Sequence, residues 1–117
     1  MTTKKLNPLF LCVCAVLFFV AAVDITGRWT GVADFNGSSF PISYDFKSEG
    51  DKVTGTMNTP VGAGEIKNGK LFKDSISFTV DLTGTAIPHT GKITADSINM
   101  VAEYNGTMIE TTVKRKK

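Results

Sequence analysis

The chain is short of the residues that most catalysis needs. Its two cysteines, Cys12 and Cys14, both fall in the first 22 of 117 residues, and His89 is the single histidine. A Cys–His nucleophilic pair and a multi-histidine zinc site are therefore excluded for residues 23–117, and a Ser–His–Asp triad would have to use His89. There is no Gly-x-Ser-x-Gly elbow and no phosphate-binding loop. Val61-Gly62-Ala63-Gly64 is glycine-rich but opens no helix, so it reads as a turn or lid. An excess of one charge is also missing: 13 Lys and Arg face 11 Asp and Glu, a net +2 that is too small to attract nucleic acid by charge alone. With eight Phe, two Tyr and one Trp, the composition is that of one small folded domain rather than a disordered chain.

Long apolar runs are absent except at the front, where Leu9 to Val23 is unbroken. Lys4 and Lys5 precede this run and Val20-Ala21-Ala22 ends it, the three parts of a secretory signal peptide. Residues 1–22 are expected to be cleaved after Ala22. At ~1.5 Å per residue the run falls short of a ~30 Å hydrocarbon core, so an uncleaved anchor is disfavoured. The remaining 95 residues carry 11 basic and 11 acidic side chains and no thiol. A secreted domain of this size without disulfides must bury its apolar face efficiently.

From Asp24 onward the pattern is alternation. Phe40, Ile42, Tyr44 and Phe46 alternate with polar residues and Pro41; Ile76, Phe78, Val80 and Leu82 form a second run, and Ile98, Met100, Ala102 and Tyr104 a third. Turn signals separate them at Asn36-Gly37, Glu49-Gly50-Asp51, Asn68-Gly69, Thr83-Gly84, Ala95-Asp96 and Asn105-Gly106. A weak repeat, Asp51-Lys52-Val53, Asp74-Ser75-Ile76 and Asp96-Ser97-Ile98, recurs at intervals of 23 and 22 residues, one hairpin each. The reading is an all-β, antiparallel up-and-down meander of about eight strands closing into a small barrel over residues 23–113, with a basic tail at 114–117. Closure would bring the first and last strands together, with Trp29 and Arg115 inward at one end. A cation–π contact would then shut that end; the alternative is that Arg115 belongs to a frayed tail.

Gly27-Arg28-Trp29 with a late basic residue resembles the Gly-x-Trp signature and its partner in lipocalins and other calycins. The wider pattern is Gly-x-Trp-x-Gly, then Phe-Lys-x-x-Gly-Asp-Lys-Val-Thr-Gly-Thr at 46–56, Gly-x-Ile-x-Asn-Gly-Lys at 64–70 and Ile-Ser-Phe at 76–78. It looks like a small lipocalin-like module of bacterial secreted proteins, and the likeness covers nearly all of residues 24–115. It implies a calycin-like barrel, alone or appended to a secreted hydrolase. The chain is much shorter than true lipocalins and lacks their later motifs.

Asp34, Asp45, Asp81, Glu103 and Glu110 fall out of phase with the apolar face, which makes them poor general acids or bases. His89 shares its phase with Ile87 and Ile93 and so points inward; Pro88 beside it suggests an edge or a barrel mouth. An inward histidine is either a hydrogen-bonded core residue, the commoner case, or a group that orients a ligand. The ligand-contact candidates are Tyr44, Phe46, Met57, Phe78, His89 and Tyr104. The inward aromatics are also what a filled core looks like, and filling is expected to outweigh open space. The polar outward face excludes a lipid-facing barrel. The expected protein is a monomeric, secreted or periplasmic, non-enzymatic barrel that binds a small apolar or amphiphilic ligand or acts as a recognition module. No catalytic residue, cofactor, metal, nucleic acid or stable membrane insertion of the mature chain is expected. The alternative is a protein-binding accessory or inhibitor module for a secreted hydrolase, working through the loop from Thr59 to Glu65.

Overall fold

The computed structural model describes residues 23–116; the expected leader, residues 1–22, lies outside them. Eight strands follow one another: β1 (Gly27–Phe35), β2 (Ser38–Glu49), β3 (Lys52–Thr59), β4 (Gly62–Phe72), β5 (Ser75–Leu82), β6 (Thr85–Ile93), β7 (Ser97–Tyr104) and β8 (Thr107–Arg115). Each pairs antiparallel with the next, and Trp29↔Arg115, Thr30↔Lys114 and Gly31↔Val113 join β1 to β8, so the meander closes into a barrel. The seam covers Trp29–Gly31 and Val113–Arg115, which an open sheet would leave as bare edges. Alternation sends one residue in two into the core: Ile76, Phe78 and Val80 on β5 are buried, while Ser77 between them is exposed and Thr79 half-buried. The five acids out of phase with the core lie on the outside, Asp45 half-buried and the other four exposed. Among the described residues no helix is long and apolar enough to cross a membrane.

The two ends of the barrel differ. At one end, Asn36-Gly37, Thr83-Gly84 and Asn105-Gly106 make tight hairpin turns with positive φ at both positions, and Pro60-Val61 makes a fourth turn. That conformation matches the right-handed twist of the flanking strands. Thr83 holds a φ of 51°, a left-handed conformation that a β-branched side chain adopts only under strain. Thr83→Asn, which tolerates that conformation, is expected to raise stability by about 1 kcal/mol. A higher urea midpoint at unchanged slope would show it.

The other end is tied by a ring of backbone hydrogen bonds, and here the Asp repeat finds its meaning. Leu71 N donates to Asp51 O (2.8 Å), Ile93 N to Asp74 O (2.6 Å) and Arg115 N to Asp96 O (3.1 Å). Each repeat thus opens a hairpin, and its Asp carbonyl accepts from an N–H at the end of that hairpin's second strand. Lys116 N donates to Arg28 O (2.7 Å) and completes the ring at the β1 seam. Val53, Ile76 and Ile98, the apolar members of the repeat, are all buried beneath it.

Two expectations change. Asn68-Gly69 is a bulge within β4, not a turn. The pairings Lys67↔Thr79 and Lys70↔Ser77 place one extra residue on β4 against β5, and Val53↔Gly69 and Thr56↔Glu65 do the same against β3. Gly69 is required because a Cβ there would lie 2.2 Å from Val53 O. The real turn is at Lys73-Asp74. The boundary expected at residue 113 also moves, because β8 takes in Lys114 and Arg115, both paired to β1.

Candidate functional site

The tied end is sealed by side chains as well. Trp29 is fully buried, and the Arg115 guanidinium lies over its ring, 4.4 Å from the centroid. Arg115 is a strap rather than a frayed tail: Nη1 donates to Thr26 O (2.8 Å) and Nη2 to Asp24 O (3.2 Å). These bonds hold residues 24–26 across the barrel end, where Ile25 is buried and its carbonyl accepts from Trp29 Nε1 at 2.9 Å. Ile25 lies outside any alternating run, which is why the sequence reading missed it.

Above this seal the interior is packed by aromatics. Tyr44 and Phe46 stack with centroids 5.4 Å apart, and Phe78 meets both edge-on, at 5.8 and 5.7 Å. The packing stops halfway. Toward the hairpin-turn end lies a cavity of about 350 Å3, within the usual range of roughly 300–1,000 Å3 for small-molecule sites. The interior is therefore open where filling was expected to prevail, with small side chains such as Ala33, Ala102 and Thr111 in the wall of the open half.

Of the six ligand-contact candidates, Tyr44, Met57, His89 and Tyr104 line the cavity; Phe46 and Phe78 lie in the packed layer beneath it. Tyr104 stands at the rim, half-buried and edge-on to Phe35 at 5.6 Å. The sequence reading missed Ile87, Leu82 and Ile109 as lining residues, although their phase with the named candidates marked them as inward. Lys, Arg, Asp and Glu are absent from the lining. Three hydrogen-bonding side chains reach the deeper part: Tyr44, His89 and Thr111. Burial pushes the Tyr44 phenol far above its ordinary pKa, so it stays a neutral hydroxyl.

His89 is 1% exposed, and its ring is fixed by stacking on Phe78 (4.7 Å) and edge contact with Tyr44 (5.8 Å). It sits neither at an edge nor at the mouth but within β6, opposite Phe78 on β5 and Ala102 on β7. Pro88 is accommodated because the β6–β7 ladder begins only at His89, so its missing N–H leaves no gap in that ladder. Nδ1 lies 3.0 Å from Ile87 O. A carbonyl oxygen only accepts, so Nδ1 carries the proton and Nε2 presents a lone pair. Among the described residues Nε2 is the buried side-chain atom left without a hydrogen-bond partner.

The acids are outside the barrel, and no group of three or more metal-ligating side chains occurs among the described residues. Compared with protein-family models, curated proteins and solved structures, the chain finds no match; its site is a one-ended apolar cavity in a closed eight-stranded antiparallel barrel.

Proposed function

We propose that this protein is a secreted, lipocalin-like binding barrel that takes up one small apolar or amphiphilic molecule through the hairpin-turn end and does no chemistry on it. The observation that carries the reading is the cavity itself: about 350 Å3, lined mainly by apolar side chains without a charged group, above a floor sealed by Trp29 and Arg115. Water in such a space makes few hydrogen bonds, so an apolar ligand gains by displacing it. The Gly-x-Trp pattern and the apolar leader support the lipocalin-like and secreted parts of the reading, and a thiol-free domain suits an oxidising compartment.

Titration with the neutral fluorescent probe N-phenyl-1-naphthylamine tests it. Saturable one-to-one binding is expected, weakened at least tenfold by Ala102→Phe, which fills the upper wall. Along a series of 1-alkanols, each added methylene should improve binding by ~0.8 kcal/mol, about fourfold, until the cavity is full. Absence of saturable binding by the probe and by every alkanol would overturn the proposal.

A further inference from the structure

Resting on the ligand-binding reading, we infer that the cavity selects a neutral molecule with an apolar body and one hydrogen-bond donor, a hydroxyl or an N–H, which donates to Nε2 of His89. A buried imidazole nitrogen without a partner is a standing cost to the fold, since it gives up its hydrogen bond to water. His89 Nε2 is such an atom, and His89 belongs to the cavity wall. The lone pair cannot swing elsewhere: Nδ1–H is committed to Ile87 O, and the ring is clamped against Phe78 and Tyr44.

The same geometry states what is rejected. A carboxylate brings only acceptors, so it cannot pair with Nε2; the Tyr44 and Thr111 hydroxyls can donate to it, but no Lys or Arg in the wall balances its charge. Protonating His89 to receive it is opposed by burial, which holds the imidazole below its ordinary pKa, the Ile87 carbonyl opposing only in part. The ionisable side chains that share the cavity are Tyr44 on β2 and Tyr104 on β7; burial keeps the Tyr44 phenol a neutral hydroxyl. An ether or alkane of equal size fills the space but leaves Nε2 unpaired. A hydroxyl or N–H loses one bond to water and regains one in the protein, so its desolvation is offset.

Isothermal titration of the protein at pH 8 with 1-octanol, its isomer heptyl methyl ether, and octanoate separates these cases. The alcohol is expected to bind at least tenfold tighter than the ether, and octanoate weakest of the three. In His89→Phe, which keeps a ring to stack on Phe78 but removes the lone pair, the preference for the alcohol over the ether should disappear while the ether still binds. The imidazole nitrogen resonance of Nε2 should move upfield with 1-octanol and stay in place with the ether. If alcohol and ether bind equally well to the unsubstituted protein, or octanoate binds tightest, the role of His89 is wrong and the apolar cavity stands. If none of the three binds, the ligand-binding reading fails with it.

Discussion

Trp29→Ala is expected to be the most damaging single substitution, lowering stability by roughly 3–5 kcal/mol, the usual range for deleting a buried aromatic. Three losses combine. The indole is fully buried, its Nε1–H is the donor to Ile25 O, and its face carries the Arg115 guanidinium. Domains of this size are stable by about 5–15 kcal/mol, so much of the reserve would go. Because Trp29 is the single tryptophan, urea unfolding must be followed by circular dichroism. Arg115→Ala isolates the strap. It removes the cation–π contact and the bonds to Asp24 O and Thr26 O while leaving the indole in place, and a smaller loss of about 1–2 kcal/mol is expected. A cost near zero for both variants would show that residues 24–26 do not close the barrel.

The second large effect concerns pH. His89 is held below its ordinary pKa of 6.5 by burial. In the unfolded chain it titrates near that ordinary value, so below it the unfolded state binds the extra proton and the folded state does not. Stability therefore falls as pH drops through about 6.5, with a slope of at most ~1.4 kcal/mol per pH unit until the folded-state pKa is reached. His89→Phe should flatten this limb and leave the protein more stable at pH 5 than the parent. It also replaces an unpaired buried acceptor by an apolar ring.

A separate acid limb lies lower. Asp24, bonded by Thr26 N–H, and Asp45 and Asp74, bonded by Arg28 and Lys92, have carboxyls held below 3.8. Their depressed pKa values add stability that is present above the unfolded value of 3.8 and lost as pH falls through the folded values. Denaturation midpoints at pH 8, 6.5, 5 and 3.5 for both proteins would resolve the two limbs. A parent protein whose stability is flat between pH 7 and 5 would contradict the buried, neutral state of His89.

Most of the fold was legible because it rests on local rules. Alternation marks which face is buried, and Asn-Gly at 36–37 and 105–106 supplies the positive φ of tight hairpins. Asn68-Gly69 shows where the rule fails. The same dipeptide serves a bulge, and only the close approach of Gly69 to Val53 O distinguishes the two. The site was half legible. Phase alone placed Tyr44, Met57, His89 and Tyr104 inward, but phase does not carry height along the barrel axis, so Phe46 and Phe78 could not be separated from the lining residues above them. Nor could it assign the Asp repeat, whose partners Leu71, Ile93 and Arg115 lie a full hairpin further along the chain.

By itself, then, the sequence determined the alternating strands, their number and the meeting of first strand with last. Each of these follows from neighbours in the chain and from the parity of a meander. The tertiary structure alone decided that one half of the interior is packed and the other open, and that His89, whose Nε2 is buried without a partner, belongs to the wall of the open half. Those facts depend on how side chains from different strands share one finite volume, and no local pattern records that.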